Sequence, residues 1–129
     1  MFLLMACFLA ACQSSPKEVD AQDDGTLPTD FIEFYDKYHA DSAFQLEHTL
    51  FPLPYLGQKK NIQEWTADNW VLHQPIDIEA SELFDRSFHR IGHSIIGEEI
   101  ISTSLNLKIE RRWQETQGKW LLIYYQPLD

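Results

Sequence analysis

Between Phe34 and Pro54 the chain reads FYDKYHADSAFQLEHTLFPLP, in which two histidines, three carboxylates and a serine sit among aromatic and aliphatic residues. His39, Asp41 and Ser42 are the residue types of a nucleophilic site: an imidazole as base, a carboxylate to orient it and a hydroxyl to attack. Near neighbours in a chain seldom bring three such groups into mutual hydrogen-bond reach. Short oxygen-bearing side chains such as Asp41 and Ser42 do, however, bond readily to nearby backbone amides. The expectation is therefore a capping role, where a first helix stops and a strand begins.

Other residues with chemical potential are spread along the chain. His89 and His93 are four apart, a spacing at which two imidazoles can share a metal. A zinc site needs a third ligand and usually a fourth. His73 and Glu98 can be named for that purpose, but no pattern ties them to the pair, so no metal and no cofactor is assigned. Asp36, His48 and His93 are the groups that a pocket could turn into a general base if the domain were an enzyme. No recognisable catalytic signature selects them, and no residue is assigned as catalytic. Trp65, Trp70, Trp113 and Trp120, with Tyr124 and Tyr125, could form a stacking surface for a ligand, although tryptophans in a small domain more often fill its core. Arg111 and Arg112 interrupt an apolar alternation beside Trp113, the mark of a bulge or a sheet edge, and a rim there could grip an anion. Trp65, Trp70, Arg111 and Trp113 are the ligand-binding candidates.

The elements that must position these groups follow from periodicity. Pro28-Thr29-Asp30 opens a helix, with Asp30 as N-cap and Glu33 completing a capping box. Phe31, Phe34, Tyr35 and Tyr38 recur at helical spacing and share one face. Phe44, Leu46, His48 and Leu50 alternate with polar residues, the period of a half-buried strand over Ala43 to Phe51. Thr66 to Trp70 reads as a helical turn capped by the threonine. The stretch from Ser81 is helix or turn first and strand from about Phe88, because Gly92 and the β-branched Ile95 and Ile96 disfavour a helix. Leu105, Leu107 and Ile109, a turn over Gln114 to Gly118, and then Trp120, Leu122 and Tyr124 make an antiparallel hairpin. A helix followed by long strands is an α+β domain, with the helix packed on a curved antiparallel sheet.

At 129 residues, 44% of them hydrophobic, there is room for one domain with a core. A formal net charge of −10 and the lack of a basic stripe argue against nucleic acid as a partner. Phe2 to Ala11 is too short an apolar run to span a bilayer and has the character of a signal-peptide core. Leu9-Ala10-Ala11-Cys12 then resembles a bacterial lipobox, although no Lys or Arg precedes the run. Acylation of Cys12 with two or more chains would anchor the protein stably, since each buried methylene contributes about 0.8 kcal/mol. The expected organisation is a signal peptide over 1–11, a flexible acidic tether over 12–27 and one α+β domain over 28–129, held at the bacterial outer membrane or cell envelope. With Cys7 lost in processing and Cys12 acylated, the domain would have no disulfide.

Phe34 to Ser42 running into Phe44-Gln45-Leu46 and Phe51-Pro52-Leu53, with Trp70 and the closing Gly118-Lys119-Trp120-Leu121-Leu122, resembles a Bacteroidota lipoprotein family known only as a domain of unknown function. The resemblance covers about Thr29 to Leu128. It implies a cystatin-like or NTF2-like fold, a helix wrapped by a bent sheet, and brings no catalytic residues. Two readings of function stand beside a plainer third, a structural protein that serves an assembly and has no ligand. One is a lipid-anchored, non-catalytic binding or adaptor module for a small molecule, glycan or partner protein. The other is an NTF2-like enzyme whose pocket carboxylate or histidine is a general base.

Overall fold

The computed structural model describes residues 27–57, 59–75 and 82–128. The expected signal peptide, Cys12 and all of the acidic tether except Leu27 lie outside the described residues; Leu27 itself packs against the core. Two helices come first, α1 over Thr29–Ala40 and α2 over Ser42–Glu47. Strands β1 (Leu53–Pro54) and β2 (Glu64–Trp65) form a two-stranded antiparallel ladder. Strands β3 (Asp85–Ile91), β4 (Ile95–Ser102), β5 (Leu107–Thr116) and β6 (Lys119–Leu128) then form an antiparallel meander in the order β3-β4-β5-β6. The expected α+β class, a helix packed on a curved antiparallel sheet, is what the chain adopts.

Aromatic spacing on α1 is the reason for that packing. Phe31, Phe34 and Tyr38 are buried, and their rings meet the sheet at Trp113 and Trp120. The closest approaches are Phe31 to Trp120 at 4.9 Å and Tyr38 to Trp113 at 4.9 Å, both edge-to-face, as the ring quadrupoles favour. The start of the helix differs from expectation. Pro28 occupies the N-cap position with no side-chain cap, while Asp30 lies in the first turn and accepts the indole N–H of Trp120 at 3.1 Å. A helix N-terminus favours a carboxylate, and here that carboxylate also ties α1 to β6.

The expected strand over Ala43 to Phe51 is a correction. Those residues form α2 and the turn after it, and the buried or half-buried positions are Phe44, Gln45, His48, Thr49 and Phe51, a helical rather than an alternating set. Leu46 and Leu50, read from the alternation as inward, are exposed. The alternation was misleading because residues four apart meet on a helix as well: His48 stacks on Phe44 at 3.8 Å. Strand-like pairing survives only at Thr49, which bridges Leu122, and so residues 48–50 run along the outer edge of β6. Asp41 does cap, but it caps α2: its Oδ1 accepts the Phe44 amide at 3.1 Å. At the next turn the roles are reversed from those expected, since Asn69 Oδ1 accepts the Thr66 amide at 2.7 Å.

In the meander, β3 begins at Asp85, three residues before the expected Phe88. The β5–β6 turn is tighter than expected, Gln117 and Gly118 alone, both with positive φ of 54° and 79°. Two residues in that conformation suit the right-handed twist of the flanking strands, and Gly carries it without strain. A register shift falls between Arg112 and Trp113: Arg112 pairs Tyr124 and Trp113 pairs Leu122, leaving Ile123 extra on β6. The bulge resets the alternation of β6. Trp120 and Leu122 are buried before it, and after it Tyr125, not Tyr124, faces the core side; Tyr124 lies under the Arg112 guanidinium at 4.3 Å. Arg111 therefore does not break the alternation of β5. It holds an inward position on a central strand, and the irregularity belongs to the neighbouring strand.

The Asp41 cap contributes about 1 kcal/mol by the usual worth of such caps. Asp41→Ala is expected to lower Tm by about 4–8 °C in a domain of this size, as followed by circular dichroism. An unchanged Tm would show that the Phe44 amide does not depend on it.

Candidate functional site

One row across the sheet runs Phe88, Glu98, Arg111, Tyr125, as the strand registers pair them. Its two central residues carry opposite charges and are almost fully buried, Glu98 at 1% exposure and Arg111 at 4%. Arg111 Nε donates to Glu98 Oε1 at 2.7 Å and Nη2 donates to Oε2 at 2.9 Å, the parallel fork that matches guanidinium to carboxylate.

Every remaining donor of Arg111 is also used. Nη2 donates to the Tyr35 hydroxyl at 2.8 Å, and Nη1 faces His39 Nε2 at 2.9 Å and His73 Nδ1 at 3.1 Å. The guanidinium has five N–H groups and no acceptor, so both imidazoles must accept and both are neutral. The proton of His39 is then on Nδ1, where it donates to the Tyr35 carbonyl at 2.7 Å. Glu98 is satisfied in the same way. Besides the fork it accepts the Trp113 indole N–H at 3.1 Å and the Tyr35 hydroxyl. Arg86 lies over the Tyr35 and Phe88 rings and donates to the Tyr35 hydroxyl at 3.4 Å.

A second polar node holds His73 in place. Gln45, 1% exposed, donates from Nε2 to the Tyr38 and His73 carbonyls and accepts at Oε1 from the Trp70 indole and the His73 amide. All its hydrogen-bonding positions are filled, so α2 fixes the segment that carries Trp70 and His73. Below it the Tyr38 hydroxyl meets Thr49 Oγ1 at 2.7 Å, and Thr49 donates to the Gln45 carbonyl.

Electrostatics follow from burial around one cation. Burial acts to raise Glu98, but the Arg111 charge and the hydrogen bonds from Arg111, Tyr35 and Trp113 outweigh it and hold the carboxyl below its ordinary range. Burial pushes the Tyr35 phenol well above its ordinary value, with Arg111 opposing and Glu98 adding. His39 is pushed down to about 4 and His73 to about 2, in both cases by burial first and the Arg111 charge second. The cluster is thus a closed system: an ionised pair, two neutral imidazoles and a neutral phenol, each group already bonded.

The sequence candidates are distributed unevenly over this arrangement. Arg111 and Trp113 belong to it, and both are buried. Trp65 and Trp70, 8% and 9% exposed, lie in an adjoining aromatic cluster with Tyr55, His73 and Tyr125. Among the described residues, Trp65 Nε1 is the buried side-chain nitrogen that has no hydrogen-bond partner. Asp36 and His93 are exposed, and His48 is engaged with Phe44, so the three do not converge. His89 and His93 are likewise exposed, and among the described residues no group of three or more His, Cys, Asp or Glu side chains is placed to hold a metal. His73 and Glu98 are gathered instead around Arg111. The pairing of Glu98 with Arg111 was not anticipated. Its signal is opposite charges at inward positions of adjacent strands, equally far from the closing pair Ser102 and Leu107.

No family model and no curated protein matches the chain. The solved structures that are similar to it in part include two NTF2-like proteins. An NTF2-like protein from Bacteroides fragilis NCTC 9343 is 17% identical over 88% of this chain, with a TM-score of 0.48, and this chain spans about half of that protein's length, 50%. An NTF2-like protein of unknown function from Shewanella baltica OS155 is 14% identical over 76% of this chain and 89% of its own, with a TM-score of 0.41.

Removing one partner of a buried pair strands the other charge, which typically costs about 3–5 kcal/mol. Arg111→Met and Glu98→Met are each expected to destabilise on that scale in urea unfolding, and the double variant by less than either; additive losses would show that the pair is not coupled. Acid has a definite sign. Both histidines have lower pKa values folded than the ordinary 6.5, so the unfolded chain takes up protons first and stability falls as pH drops below about 6.5. Between pH 6.5 and 4.5 a His39→Gln/His73→Gln variant is expected to show a flatter dependence of Tm on pH than the parent protein, because the carboxylates contribute to both alike. An equal slope would mean that these imidazoles do not titrate between the two states.

Proposed function

We propose that the chain is a lipid-anchored protein of the bacterial cell envelope whose domain is a non-catalytic binding or adaptor module for a small molecule, a glycan or a partner protein. The observation that carries the reading is the saturation of the buried ionisable cluster. A general base needs an open lone pair and a substrate proton within reach. Glu98 has its acceptor positions filled, and His39 and His73 are bonded to Arg111. The competing reading, an enzyme of NTF2-like type, would have to draw its base from Asp36, His48 or His93. Two of these lie on the surface and the third is stacked and bonded within α2 and its cap.

The anchor is supported by the Leu9-Ala10-Ala11-Cys12 segment after an apolar run, by the acidic residues that follow, and by the resemblance to a Bacteroidota lipoprotein family. Attachment through Cys12 with an acidic spacer would hold a folded module off an anionic bilayer surface by like-charge repulsion.

Mass spectrometry of the protein purified from membranes is expected to find a chain starting at an acylated Cys12, with any ligand carried along. Cys12→Ser is expected to remove the acyl mass and shift the protein to the soluble fraction. A native chain intact from Met1 and soluble would overturn the anchor.

A further inference from the structure

Burying an indole N–H without an acceptor is unfavourable, and tryptophan usually reaches a partner when buried. Trp70, Trp113 and Trp120 obey this rule, through Gln45, Glu98 and Asp30. Trp65 does not, although it is 8% exposed and packed by rings on three sides: Tyr55 at 5.4 Å, Tyr125 at 5.5 Å and Trp70 at 5.8 Å. Tyr55 and Trp70 stand nearly perpendicular to it, at 88° and 87°. Such walls suit the edge of a flat ring rather than the open face that a glycan would need. An N–H pointing at a ring face recovers only part of a hydrogen bond.

Of the three walls, Tyr55 is the one that directly follows β1, its amide donating to the Gln63 carbonyl at 3.2 Å at the end of the short β1–β2 ladder. Its side chain folds back over Gly57, where a Cβ would meet the Tyr55 hydroxyl at 2.3 Å, and that hydroxyl accepts the Lys59 amide at 3.2 Å. A two-residue ladder is weakly held, so this cover can move at modest cost. Lys59 and Lys60, both exposed, sit on the same loop of an otherwise acidic chain, and neither makes an ion pair among the described residues.

We infer that Trp65 Nε1 is a ligand-binding donor, covered by Tyr55 in the unliganded protein, and that the ligand is an aromatic carboxylate. The carboxylate accepts the indole N–H with Lys59 and Lys60 on the neighbouring loop, while its ring takes the place of the Tyr55 ring against Trp65 as Tyr55 swings away. This rests on the binding-module reading and gives it a place and a ligand class.

The test uses the full chain with 15N-labelled indoles, titrated with phenylacetate and with indole-3-acetate, and with acetate as the control without a ring. The Trp65 indole signal is expected to move saturably with either aryl carboxylate and not with acetate. Replacing Trp65 by 3-benzothienylalanine, which keeps the ring shape and lacks the N–H, is expected to weaken phenylacetate at least tenfold while leaving the unliganded Tm unchanged or higher. A Trp65 signal unmoved by both aryl carboxylates overturns the site, and so does a Tm lowered by several degrees, because the N–H would then have a partner. A co-purifying ligand that moves other indole signals and not that of Trp65 removes this site while leaving the binding-module reading intact.

Discussion

The buried fork between Glu98 and Arg111 is the constraint around which the domain is arranged. Taking a carboxylate and a guanidinium out of water costs several kcal/mol per ion, and their attraction offsets this only when geometry and further hydrogen bonds are complete. Completion here requires four further groups from three parts of the chain: Tyr35 and His39 on α1, His73 on the segment before β3, and Trp113 on β5. Helix, sheet and connecting segment are therefore specified together. A one-residue slip of β4 against β5 would put Glu98 and Arg111 on opposite faces of the sheet, and a rotation of α1 would withdraw the phenol and the imidazole.

Gln45 extends this arrangement. It is an uncharged side chain with two donors and two acceptor positions, all engaged, and it fixes the backbone around His73 so that the imidazole faces Arg111. The chain from Arg111 through His73 and Gln45 to Trp70 links the ionic cluster to the aromatic cluster around Trp65 and Tyr125. Groups that would be reactive if left open are consumed in holding the architecture, and the buried donor left over among the described residues, the Trp65 indole, lies at the far end of that chain. The ionic cluster and the proposed binding site thus fall in adjacent regions, one closed by hydrogen bonds and the other by a ring beside a short ladder.

Local pattern was sufficient wherever one element decided the outcome. The four aromatic residues of α1, the β5–β6 hairpin and the capping role of Asp41 could be read from spacing and residue type, because helix faces, strand alternation and caps depend on neighbours within a few positions. The stretch after Asp41 could not. Phe44, Leu46, His48 and Leu50 satisfy a strand period, but the polar Gln45 and Thr49 are the residues that the fold needs inside, and that need arises from Tyr38, Trp70 and His73. The bulge at Ile123 likewise exchanged Tyr124 for Tyr125 on the inner face, a choice with no local signature.

By itself, then, the sequence determined the α+β class, the aromatic helix face and the closing hairpin, since the interactions that set these are short in range. Which charges would be buried, and against what, was decided only in three dimensions. Arg111 on its own is a solvated cation and Glu98 a solvated anion. Strand pairing and the covering helix remove water from both at once, and removal of water makes a bonded partner obligatory for each.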